Sequence, residues 1–137
     1  MIQFNYETEF KLADEVRIQQ WISDCIESYD YVEGELNYIF CDDEYLLKLN
    51  VEFLEHDALT DIISFDYTLG KLVSGDIFIS IDRVKENAIE FCQGPENEIN
   101  RVIIHGILHY LGFKDKSEED KMKMRLEEDK CLELLNS

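Results

Sequence analysis

Proline occurs once in 137 residues and glycine six times, so the sequence has no material for a flexible linker or a collagen-like repeat. No internal repeat or low-complexity tract is present either. Basic residues are scarce: 13 Lys and Arg stand against 31 Asp and Glu, a net charge of −18. The deficit is uneven, with 6 basic against 23 acidic residues over positions 1–100 and 7 against 8 over 101–137. Binding to a phosphate backbone through bulk charge leaves a basic footprint, so this balance excludes a non-specific nucleic-acid binder while leaving room for a local site. No stretch approaches the ~18 apolar residues of a membrane span. The N-terminal segment MIQFNYETEF has neither a basic nor an apolar signal region, and the expected location is the cytoplasm. The four cysteines, Cys25, Cys41, Cys92 and Cys131, form no C-x-x-C pair and no dense framework, and are expected to be reduced, mostly buried thiols rather than a zinc ribbon or redox pair.

What is present is apolar side chain: 45% of residues are hydrophobic and 12% aromatic, enough for a packed core in one domain spanning residues 1–137. Residues 2–8 read as a strand, and residues 13–29 place Ile18, Trp21, Ile22, Cys25, Ile26 and Tyr29 at helical spacing. A strand follows Gly34, with Leu36, Tyr38 and Phe40 alternating against Glu35, Asn37 and Ile39; Asp42 or Asp43 then caps a helix through Leu54. Residues 55–61 are polar and irregular. Strands are expected at 62–67 and 72–80, joined by a turn at Leu69-Gly70-Lys71, and a helix at 82–92. Gln93-Gly94-Pro95 breaks the pattern before a helix from about Glu96 to Leu111, whose later part is apolar around its whole circumference and must be buried. Ser117-Glu118-Glu119-Asp120 resembles a capping box for a last helix through about Leu135. The pattern is α+β: a mixed sheet of about four strands packed with four to five helices.

Only three histidines occur, and two of them, His105 and His109, lie four residues apart on the helix expected to be buried. That spacing puts both imidazoles on one face, one turn apart, where they can share an ion. Gly112 suits a helix C-cap that would return Asp115 to the same place, completing H-x-x-x-H-x-x-G-x-x-D. Taken singly, each piece has a plainer use: two hydrogen-bonded histidines, an ordinary cap, a loop carboxylate. Together they are candidate ligands of one metal ion, most simply zinc. The arrangement resembles the extended zinc motif of the metzincins, but Gly106 stands where those enzymes carry their general-base glutamate, which disfavours a peptidase. His56 falls in a polar loop and is expected at the surface. Thr60-Asp61 and Ser64 precede and enter a strand, and Gly75 in mid-strand suggests a bulge or a close approach.

Leu49-Asn50, Thr60-Asp61, Ser64-Phe65, Gly75-Asp76-Ile77, Ser80 and His105-Gly106-Ile107-Leu108-His109-Tyr110-Leu111-Gly112, in this order, resemble the YbeY family of bacterial ribosomal RNA maturation factors, proposed single-strand-specific endoribonucleases. Met124 and Glu127 or Glu128 fit the same pattern, so the likeness runs from about residue 35 to the end. It implies a metalloprotease-like α+β fold, one zinc ion, and a role in small-subunit ribosomal RNA processing and ribosome quality control, with single-stranded RNA and the small subunit and its proteins as partners, and neither DNA nor membrane. Two departures stand out. Asp115 takes the place of a third histidine, a change zinc accepts. Leu54 stands where many relatives carry an arginine, and Lys114 or Lys116 could take over its phosphate-facing role.

On this reading His105, His109 and Asp115 hold the ion, and His105 and Asp61 are the candidate catalytic residues, Asp61 orienting a ligand or moving a proton. The rivals are a ribosome-assembly factor in which zinc is purely structural, and a metal-dependent hydrolase or peptidase acting on another class of substrate.

Overall fold

The structure is a computed structural model that describes residues 1–55 and 59–136. Four strands, β1 (Ile2–Tyr6), β2 (Val32–Cys41), β3 (Ile62–Asp66) and β4 (Leu72–Ser80), form one sheet in the order β1-β2-β4-β3. β1 and β4 pair parallel with β2 on its two sides, and β3 joins β4 antiparallel through the short turn around Gly70. Five helices complete the chain: α1 (Glu15–Ser28), α2 (Asp43–Leu54), α3 (Ile81–Glu90), α4 (Pro95–Tyr110) and α5 (Glu118–Asn136). The fold is α+β with a mixed sheet, as the spacing of apolar residues predicts. His56, expected at the surface, lies outside the described residues.

The period-two reading of β2 holds: Leu36, Tyr38 and Phe40 are fully buried on one face, while Asn37 and Ile39 look the other way. Val73, Ile77 and Ile79 of β4 join them. Against this face lie α1, through Ile18, Trp21, Ile22, Cys25 and Ile26, and α4. The opposite face is covered by α2, where Leu46 packs with Cys41 and Ile63 and the Tyr45 ring stacks on Phe78. Three thiols are buried, as expected, but Cys92 is exposed, because the chain leaves α3 there in a left-handed turn with φ 54°.

Helix α4 is the centre of the molecule. Ile103, Ile104, Ile107 and Leu108 are fully buried, each stabilising the fold by roughly 1.5–3 kcal/mol. Its start follows the expected punctuation, Gly94 as N-cap and Pro95 in the first turn, where the missing N–H costs nothing. Its end is a Schellman turn: Gly112, at φ 101°, donates to the His109 carbonyl and Phe113 to that of Leu108, each at 3.1 Å. From Asn97 to His109 the helix is sealed except for one strip, in which Asn97, Arg101, His105 and His109 recur every four residues and keep partial access to solvent.

Gly75 is a close approach and not a bulge. The Tyr110 hydroxyl passes over it to donate to the Phe65 carbonyl at 3.0 Å, and a Cβ at position 75 would lie 2.5 Å from both that hydroxyl and that carbonyl. The irregularity in pairing lies in β2, between Glu33 and Leu36. α4 is thereby pinned to the sheet at its C-terminal end by Tyr110 and at mid-helix by the Tyr38 hydroxyl, which donates to the Ile103 carbonyl at 2.9 Å.

Candidate metal centre

The exposed strip of α4 delivers His105 and His109 to one point, and the Schellman turn sends the chain back so that Asp115 meets them. Nε2 of His105 and Nε2 of His109 lie 3.0 Å apart, and Oδ2 of Asp115 is 3.2 Å from the first and 3.3 Å from the second. A tetrahedral ion with bonds of about 2.0–2.1 Å has ligand edges of roughly 3.3–3.4 Å. The triangle is therefore the size of one face of such a site, and its atom types are those zinc prefers. Among the described residues these three are the one group of histidine, cysteine and carboxylate side chains that converges in this way.

A carboxylate behind the ring sets its orientation. Oε2 of Glu128, on α5, lies 2.6 Å from Nδ1 of His105, so that nitrogen donates and Nε2 turns its lone pair toward the triangle. Glu128 is held in turn: its Oε1 accepts from Nη1 of Arg101 at 2.9 Å, while Nη2 of Arg101 donates to Asp129 at 2.7 Å. The chain Asp129–Arg101–Glu128–His105 crosses from α5 to α4 and back, with Arg101 and Glu128 only 12% and 7% exposed. Burial by itself would depress the His105 pKa; the Glu128 hydrogen bond and the charges of Glu128, Asp115 and Asp61 outweigh it and hold the group above its ordinary value. Charges that favour a proton on His105 also favour a cation in front of it.

Beside the triangle opens a cleft of about 570 Å³. His105 and Asp115 line it together with Asp61, which sits one residue ahead of β3, with its backbone carbonyl accepting from Ser80 N–H at 2.9 Å. Burial pushes the Asp61 carboxyl above the usual range, and the nearby His105 only partly offsets this. Its side chain has a long contact to Asn87 at 3.5 Å. Three further motif residues do not line the cleft: Ser80 caps α3 and donates to Asp43 at 2.8 Å, Thr60 touches the Ile62 carbonyl, and Ser64 is exposed on β3. Gly106 faces Ile62 and Ile77 of the sheet, so a glutamate there would enter the core and not the cleft.

Lys114 and Lys116 flank Asp115 but are exposed and do not line the cleft, and Leu54, at the end of α2, does not reach it either. Among the described residues, the Lys and Arg side chains that line it are Lys121 and Arg125, on α5. Sequence reasoning passed over both, and over Arg101, although Arg101 lies four residues before His105 on the same strip. Which residues of α5 face α4 is a matter of tertiary register that no local pattern displays.

The fold and the centre define a class: an α+β domain whose buried helix presents two imidazoles, completed by a carboxylate that a glycine turn brings back. The sequence profile of the family described as Endoribonuclease YbeY matches residues 3–136. The chain is 57% identical over 136 residues to the Endoribonuclease YbeY of Flavobacterium johnsoniae, covering 99% of this chain and 98% of that one. It is 45% identical over 138 residues to the Endoribonuclease YbeY of Porphyromonas gingivalis, covering 98% and 91%. A solution structure of a Thermotoga maritima protein superposes with a TM-score of 0.70 at 25% identity, over 98% of this chain and 89% of that one. The chain belongs to the YbeY endoribonuclease family.

Proposed function

We propose that this protein is a zinc-dependent, single-strand-specific endoribonuclease acting in the cytoplasm on ribosomal RNA during small-subunit maturation and quality control. The observation that carries it is the His105–His109–Asp115 triangle opening on a cleft with cationic side chains, in a member of a family named for endoribonuclease activity. No helix among the described residues is long and apolar enough to cross a membrane, which fits the location.

The three side chains would hold one zinc ion, which when bound supplies Lewis-acid charge for phosphodiester cleavage. Glu128 fixes the His105 ring and, through Arg101, ties that ring to α5. Asp61 stands beside His105 with its proton affinity raised by burial, suited to take a proton from the attacking group and return it to the leaving oxygen. Among the described residues no fourth side chain joins the triangle, which supports an open position for substrate over a closed structural site. Leu54, in place of the family arginine, favours the alternative of a non-catalytic assembly factor.

Metal content and cleavage of a single-stranded RNA, measured on freshly purified wild type, Asp115→Ala and Asp61→Asn, separate the two. The expected result is near-stoichiometric zinc and cleavage in wild type, loss of both in Asp115→Ala, and retained zinc with at least a hundredfold loss of rate in Asp61→Asn. Zinc without cleavage in wild type would establish the assembly-factor reading. Cleavage that survives both metal removal and His105→Ala would refute the catalytic site.

A further inference from the structure

Helix α4 brings His105 to the cleft and packs against both α3 and α5, which supply its other helical lining residues. The α3 wall ends at Phe91, its C-cap residue, 55% exposed and absent from both core clusters. No aromatic ring lies against it among the described residues. The α5 wall carries Lys121 and Arg125, four residues apart and so on one face. Lys121 has one exposed pairing, to Glu118 at 3.7 Å, and Arg125 makes no hydrogen bond or ion pair within 4 Å among the described residues; its charge acts on the buried Glu98. In a chain of net charge −18, the cleft sets an unstacked aromatic on one wall and two cations on the other, beside its own carboxylates Asp61, Asp115 and Glu128, at the reacting centre.

Resting on the nuclease reading above, we propose that this cleft binds a single unpaired nucleotide: Phe91 stacks its base, and Lys121 and Arg125 hold the phosphates that flank the scissile bond. A base in a duplex already has both faces stacked, whereas an unpaired one offers a face to an aromatic side chain, so Phe91 selects single strands without reading sequence. The guanidinium of Arg125 presents planar paired donors suited to phosphate oxygens, and Lys121 a point charge. Together they supply, from α5, the phosphate contact that Leu54 cannot make from α2.

The test is steady-state cleavage by zinc-loaded protein of a fluorescein-labelled single-stranded oligoribonucleotide and of the same strand annealed to its complement. Phe91→Ala should raise KM for the single strand about tenfold with kcat within about twofold, the mark of lost uniform binding, and narrow the preference over duplex. Phe91→Trp should restore KM, and its indole emission should be quenched by the single strand but not by the duplex. The Lys121→Ala/Arg125→Ala double variant should raise KM and flatten the dependence of log KM on log salt by about 1.4, or ~0.7 per phosphate contact. All three side chains are exposed, so zinc content should match wild type and the variants should stay folded, with only a small fall in melting temperature where Arg125 no longer offsets the buried Glu98. Unchanged KM and salt slope in variants of an active wild type would overturn this assignment alone, as would a fall in kcat with KM unmoved. A wild type that neither binds nor cleaves any RNA would instead overturn the nuclease reading on which it rests.

Discussion

Glu128 joins the stability of the fold to the readiness of its metal-type centre. Replacing it with glutamine keeps the shape but removes the charge that Arg101 and His105 share. Zinc affinity should fall by 10–100-fold, read by competition with a chromophoric chelator. Stability should drop by about 1–3 kcal/mol in denaturant titration, because the largely buried Arg101 keeps only Asp129 as a charged partner. Glu98 behaves in the opposite sense. Burial raises its pKa, and Asp61 and Glu128 add to this against the opposing charges of Arg101 and Arg125. The folded chain therefore holds that proton more tightly than the unfolded one, and stability declines as pH rises from the unfolded carboxyl value through the folded one. Glu98→Gln should melt higher than wild type at pH 7, and the advantage should vanish below the ordinary carboxylate range; equal melting temperatures across that window would disprove the account.

Among the elements, α4 was the most legible. Its limits, its Gly94-Pro95 entry, its Gly112 exit and its two histidines all follow from local rules, since caps and four-residue spacing are properties of one segment. The alternation in β2 was legible for the same reason. What local rules do not reach is which side of α5 meets α4: Glu128 was legible only through family resemblance, and Lys121 and Arg125 not at all. From sequence alone, Lys114 or Lys116 could take over the phosphate-facing role because they adjoin Asp115, but both are exposed and neither lines the cleft. The two glycines at the sheet contact test how tightly α4 is seated. Gly75→Ala should cost at least about 2 kcal/mol in chemical denaturation, since its Cβ would meet a backbone carbonyl and a fixed tyrosine hydroxyl at 2.5 Å. Gly106→Ala should cost less, about 1 kcal/mol or under, because the contacts are 3.2 Å to isoleucine methyl ends that can turn aside, and alanine favours the helix.

For the whole molecule, an ion held by His105, His109 and Asp115 would tie α4 to the turn leading into α5 and so stabilise every element packed on them. At a free zinc concentration a hundredfold above Kd the gain is about 2.7 kcal/mol. Removing the metal with a chelator should therefore lower the melting temperature by roughly 10 °C, and Asp115→Ala should melt at that lower temperature with or without chelator.

The central position of α4 also fixes an order in time. A ribosome releases the chain from its N-terminus, so all four strands emerge before the helix on which the inner face of the sheet closes. Until α4 arrives, Leu36, Tyr38, Phe40, Ile77 and Ile79 have only α1 as cover on that side. A chain ending at Gly94 should thus stay open to protease, and folding on the ribosome should register as one late event, once Pro95–Tyr110 has cleared the exit tunnel. The segment that brings both histidines is the one that closes the fold, so no folded intermediate lacking them is expected to persist during synthesis.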